Sequence, residues 1–238
     1  MEIRDWLGYV ETETTDNPAA MLRAIRDALS EFCEVSQVWR TEECPAMNVV
    51  ANTSAYTLKL PVEEASIVDV LELDYNGTLL TGATERELDG IYGIGSDLRG
   101  SEWMWGNVTG VQGWRSLTAG VPEYYYLLPT RQVRLVPIPT TALANGLTPK
   151  LVSLKPSHKA REVPDFLYEH YRRDISLGAK AYLLKQVNVP WSAPQEGKML
   201  YQEFIQKAAE AKMRSDNSGL LRNVVVGSTL FGGYEGEG

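Results

Sequence analysis

Between Val163 and Asp216 apolar residues recur every three or four positions in two runs separated by a turn. Leu167, Tyr171, Ile175, Ala179 and Tyr182 form the first stripe, and Met199 or Leu200, Phe204, Ala208 and Ala211 the second. Such spacing predicts two amphipathic helices. Pro164 suits the first turn of a helix, where its missing N–H has no helical partner. Asn188-Val189-Pro190 should end the first helix, because a residue preceding proline is pushed out of the helical region. Trp191 marks the turn, and Ser192 with Gln195 has the form of a capping box for the second helix. Glu169 with Arg173, Glu203 with Lys207 and Glu210 with Arg214 add i,i+4 pairs on the polar faces.

The same period appears near the start of the chain. Asp16 or Asn17 can cap a helix with Pro18 at its first position. Met21, Leu22, Ile25, Leu29 and Phe32 then make its stripe, with Arg23, Arg26, Asp27 and Glu31 expected to face water. A single amphipathic helix of this length is marginal in water. It must dock, and the hairpin after Val163 offers the matching apolar faces. Ile25, Phe32, Tyr171, Ile175, Trp191 and Phe204 are the residues expected to pack this body.

Between these helices the period falls to two. Tyr56–Leu60, Ile67–Leu73, Pro122–Leu128, Gln132–Val136 and Leu151–Leu154 read as strands, and Asn76-Gly77 is a type I′ hairpin signal. The segment from Gly90 to Gly120 follows neither period and carries Trp103, Trp105 and Trp114 among eight glycines. One reading is a projecting loop that buries indoles against a neighbouring chain, since tryptophan is enriched at interface hot spots. Another is a loop folded on its own sheet, and a sugar-stacking site is a third. Past the hairpin, Asn217-Ser218-Gly219 resembles a helix end. Leu220–Phe231 is β-prone, and as a strand it could pair with another protein's sheet edge or close its own domain.

The expected fold is therefore α+β and mainly helical. A helical bundle is built from both chain ends, residues 1–47 and 155–216. A small antiparallel β domain over 48–154 is inserted into it, and an extended C-terminal arm spans 217–238.

Composition narrows the functional classes. With 238 residues, 44% of them hydrophobic and 23% charged, the chain can bury a substantial core. It has no apolar run near the ~20 residues needed to span a bilayer. The acidic opening MEIRDWLGYVETETTD lacks the features of a signal peptide, so synthesis in a cytoplasm is the expectation. Cys33 falls on an apolar helix face, and it and Cys44 are expected to be free thiols. A net charge of −8 argues against a DNA-gripping surface and suits a conduit that DNA passes without sticking.

Catalytic constellations are missing from the sequence. It has no phosphate loop, nucleophile elbow, H-E-x-x-H or C-x-x-C, and its two histidines are His158 and His170. The carboxylates Glu63, Glu64, Glu85, Glu87 and Asp89 read as solvated rather than as acid–base pairs. No catalytic residue, metal or cofactor is expected, and an enzyme is not.

The string VPDFLYEHYRRDISLGAKAYLLKQVNVPWSAP, residues 163–194, resembles the adaptor (head-completion) proteins in the neck of tailed bacteriophages. Its elements are a Pro-x-Phe-Leu opening, a Tyr-Arg helix with a Gly-Ala pair, and a Pro-Trp-Ser turn. LRAIRDALSEFCEVSQVWRTE, residues 22–42, is similar to that family's first helix, and YTLKLPVEEASIVDVLELDYNGTLL, residues 56–80, to its opening hairpin. The resemblance implies a structural virion protein of the neck, in a homo-oligomeric, usually twelvefold ring below the portal. Such a ring extends the DNA channel, through which DNA passes without sequence-specific binding, and carries tail or nozzle proteins, with no membrane involved. It also implies that Val224, Val225, Val226, Leu230 and Phe231 form an arm docking on the portal. The Gly/Trp segment and the acidic N-terminus match no motif of the family. The alternative from another class is a carbohydrate- or receptor-binding module that uses the Trp-rich loop.

Overall fold

The structure, a computed structural model, describes residues 1–10, 17–42, 44–60, 62, 64–92, 113–129 and 131–228. The chain divides into two compact units, one of Met1–Trp39, Glu64–Val68 and Leu154–Gly238, the other of Arg40–Glu63 and Asp69–Ser153.

In the first unit a 3-10 turn, Ile3–Trp6, leads into the short helix α1, Leu7–Val10, and buries Ile3 and Trp6. Helix α2, Pro18–Ser36, starts as its cap dictates: the Asn17 side chain accepts from the Ala20 N–H at 3.2 Å with Pro18 in the first turn. It ends where Gln37 turns left-handed and donates its N–H to the Cys33 carbonyl. Helices α4, Asp165–Leu184, and α5, Pro194–Ser228, complete the unit and both pack on α2. The second of them begins two residues beyond Ser192, with Pro194 in its first turn. The Ser192 N–H instead closes the turn on the Val189 carbonyl, so the expected capping box does not form. Cys33 and Cys44 are both free and buried, and burial pushes the Cys33 thiol up to about 12.

Among the described residues a mixed sheet of eight strands holds the core of the second unit. They are β1 Arg40–Thr41, β2 Met47–Val49, β3 Ala55–Thr57, β4 Ala65–Tyr75, β5 Thr78–Gly82, β6 Tyr124–Leu128, β7 Gln132–Val136 and β8 Leu143–Pro156. Their order is β1-β8-β4-β5-β6-β7-β3, and β2 also pairs with β8. The β4–β5 turn has the expected form: Asn76 and Gly77 both take positive φ, and the Gly77 N–H bonds the Asp74 carboxylate at 2.9 Å. An eight-residue helix, α3 Glu85–Tyr92, lies between β5 and β6, and these two strands run parallel.

This sheet corrects the mainly helical reading with its small antiparallel insert. Among the described residues the strands form one curled sheet that is mixed rather than antiparallel, so the chain is not a mainly helical bundle. The physical reason lies in β8. Its Asn145-Gly146 and Pro149 are turn and breaker signals, yet the strand runs straight through them. Asn145 takes a positive φ where the β2 register shifts, and Pro149 falls between the residues paired by β2 and those paired by β1. The C-terminal segment is also corrected. It continues α5 as helix to Ser228 rather than forming a strand-like arm.

Candidate functional site

The helical unit gathers the packing residues predicted from sequence. Ile25, Phe32, Ile175 and Phe204 are fully buried. The Phe32 ring meets Tyr171, which is half-buried, at 5.1 Å and Phe204 at 6.2 Å. Gly178 is what lets α4 and α5 close on each other, since a Cβ there would stand 2.6 Å from the Phe204 ring. The second apolar stripe runs through Leu200, because Met199 points outward and is 71% exposed. Trp191 is half-buried in the turn between α4 and α5, with its indole N–H enclosed and unpaired.

Glu31 is not the solvent-facing residue its place in the pattern suggests. Its carboxylate accepts the hydroxyls of Tyr182 from α4 and, at 2.5 Å, Tyr201 from α5, which joins three helices at one group. The Lys185 ammonium sits 3.7 Å from the Tyr201 ring centroid. Burial, and then the bond to Glu31, push the Tyr182 hydroxyl well above the ordinary tyrosine range, and the bond to Glu31 raises Tyr201. Two turns earlier on α4, burial raises the Asp174 carboxyl against the opposing pull of Lys207 and Arg214. Both cations also reach Glu210, at 3.1 and 3.7 Å.

Beyond the end of this pairing α5 runs on. At 1.5 Å per residue its 35 residues span roughly 50 Å, against roughly 30 Å for the 20 residues of α4. Because Gly178 faces Phe204 while Asp174 lies among Lys207, Glu210 and Arg214, the two helices run antiparallel, and the last turns of α5 extend past the start of α4. Val224, Val225 and Val226 fall in that extension, whereas Leu230 and Phe231 lie outside the described residues.

Of the three loop tryptophans, Trp103 and Trp105 lie outside the described residues. Trp114 is 5% exposed and belongs to a cluster with Leu88, Tyr126 and Val136. Its indole donates to Asp89 at 2.7 Å, its ring meets Tyr126 edge-on at 5.2 Å, and Arg115 stacks over it at 4.0 Å. The acidic residues beside it are structural. Glu87 and Thr84 form a reciprocal capping box at the start of α3, and Glu85 and Asp89 both bind Arg115. The Thr-x-x-Glu spacing announces that cap in the sequence, so α3 was readable there. Glu64 accepts the N–H of Arg161 at 2.7 Å, and Glu63 lies outside the described residues.

His158 and His170 are exposed, and among the described residues no group of three or more His, Cys, Asp or Glu could hold a metal ion. No helix among them is long and apolar enough to cross a membrane. A cleft of about 850 Å³ in the β unit is lined by leucines, tyrosines and the carboxylates of Asp69, Glu85 and Glu87, and the one hydroxyl–carboxylate pair given in its lining, Thr84 with Glu87 at 2.9 Å, is the cap of α3. What the geometry offers is packing surface: a helical body closed around Phe204, an overrunning helix, and a sheet with an open cleft. Compared with protein families, residues 1–223 match the model of the SU10 adaptor protein. No curated protein matches the chain.

Proposed function

The chain belongs to the SU10 adaptor protein family, a family of structural bacteriophage proteins, and from that premise we propose that it is a head-to-tail adaptor of the virion neck. In this reading copies of the chain form a ring below the portal, extend the DNA channel and carry the tail components. The family match, which spans nearly the whole chain, is the observation that carries the reading. The helical body supports it. Met199 and Met213 are 71% and 59% exposed and lie near one face of α5, and Val187 in the adjoining turn is 73% exposed. Exposed apolar side chains on one face suit contact with a neighbouring copy. The net charge of −8 suits a channel wall that does not hold DNA.

The overrunning end of α5 is the proposed portal-docking element, now as a helix rather than a strand. Filled heads assembled without this protein, when supplied with the purified full chain, are expected to acquire tails. The chain truncated after Gly219 keeps every buried contact of α5 described above and is expected to fail. Tail attachment that proceeds equally with full-length chain, truncated chain or no chain would overturn the proposal. The carbohydrate-binding alternative draws no support from Trp114, whose buried indole is engaged by Asp89 and Tyr126.

A further inference from the structure

Strand β5 occupies its place in the sheet for only part of the length of its neighbours. It pairs with β4 at Leu73–Tyr75, then swings to β6, where Thr81 and Gly82 run parallel to Tyr124 and Tyr125. After the Ala83 N–H has bonded the Tyr125 carbonyl, the chain leaves for α3. Strand β6 continues to Leu128 with β7 on its other side, and Asp69–Leu71 of β4 lie across from it. Between them, where β5 would have continued, is the cleft of about 850 Å³.

Two backbone groups show that this edge of β4 lacks a strand. The N–H of Val70 is taken by the Asp69 carboxylate at 2.8 Å, and its carbonyl by the Tyr125 hydroxyl at 2.7 Å. In a sheet these are the groups a neighbouring strand satisfies. Val70 is 3% exposed, so side chains here do what a ladder would otherwise do. On the opposite wall Leu127, two residues beyond Tyr125, presents its backbone to the same side as the Tyr125 carbonyl.

The lining fixes the sign of the charge. Asp69, Glu85 and Glu87 border the cleft, and among the described residues no lysine, arginine or histidine does. Arg115 offsets Glu85 at 3.1 Å, which leaves a net negative rim. The same field, from Asp69 and Glu72, adds to burial in pushing the Tyr125 hydroxyl up to about 12. Ala83, Leu71 and Leu127 supply apolar walls between the carboxylates.

We propose that this slot docks a short extended segment of a partner chain that carries lysine or arginine side chains. The segment would add a strand between β4 and β6, its backbone completing the ladder and its cations meeting the carboxylate rim. The inference rests on the sheet alone and stands or falls independently of the ring.

The test uses the full chain and a fluorescent hexapeptide of alternating lysine and valine. The controls are its glutamate–valine counterpart and a lysine peptide with N-methylated backbone. Anisotropy is expected to show the lysine peptide binding at least about tenfold more tightly than the glutamate peptide, with the N-methylated peptide not binding. Hydrogen exchange at the Leu127 amide is expected to slow in the complex. Asp69→Asn keeps an acceptor for the Val70 N–H, so it should weaken the lysine peptide about threefold at an unchanged unfolding midpoint. Equal affinity for both charged peptides would overturn the proposal. So would binding without protection at that amide, its protection in the free protein, or no binding up to millimolar peptide.

Discussion

Replacing Phe204 by alanine is expected to lower the unfolding free energy of the helical unit by about 3–5 kcal/mol. The side chain is fully buried and its ring lies 6.2 Å from that of Phe32 and 6.3 Å from that of Tyr201, so truncation leaves a cavity where α2, α4 and α5 meet. The partner position makes the prediction sharper. In the wild-type chain Gly178→Ala should also destabilise, because the added methyl would stand 2.6 Å from the Phe204 ring. Against Phe204→Ala the same methyl enters vacated space. The double variant should therefore be more stable than the sum of the two single losses by about 0.5–3 kcal/mol. Urea unfolding followed by far-UV circular dichroism measures all four corners of the cycle. Strict additivity, or a loss below about 1 kcal/mol for Phe204→Ala, would show that the helices do not close on this residue.

The second large effect is expected at Glu31. Glu31→Leu leaves the Tyr182 and Tyr201 hydroxyls half-buried without their acceptor. A lost partner of this kind costs about 1–3 kcal/mol. The pH dependence has a definite sign. Unfolded tyrosines ionise near pH 10, while folded Tyr182 and Tyr201 hold their protons to higher pH. Above about pH 10 the unfolded chain sheds these protons first, so the stability present at neutral pH is lost as pH rises further. In Glu31→Leu the largest cause of the Tyr201 shift is gone, and the alkaline decline should be shallower than in the wild type. Urea midpoints taken between about pH 8 and 11 would test this. A wild-type midpoint that rises with pH, or identical slopes in the two proteins, would contradict it.

The features legible in the sequence are those governed by local rules. The Asn17–Pro18 start of α2 and the apolar stripes of α2 and α4 are local. So is the Asn76-Gly77 turn, whose two positive φ values are what a type I′ hairpin requires. Non-local pairing was not legible. Thr41 meets Val152 and Met47 meets Leu147, pairs far apart in the chain, and two- or three-residue strands carry no period of their own. The breaker residues inside β8 then hid its length. The end of α5 went unread for a different reason: Gly219 and the run of three valines argue against helix only as weak propensities, and the backbone stays helical through them. Glu31 shows the limit of periodicity. A charged residue at the edge of an apolar face reads as solvated until two tyrosines from other helices are seen to converge on it.

In the proposed adaptor role this α-helical body meets copies of itself and the portal. Light scattering coupled to size-exclusion chromatography, on the purified chain alone and mixed with portal protein, tests it most directly. A discrete complex with portal is expected, with a mass that includes many copies of the 26.5 kDa chain. A chain that stays at 26.5 kDa under both conditions, with portal eluting unchanged, would contradict it.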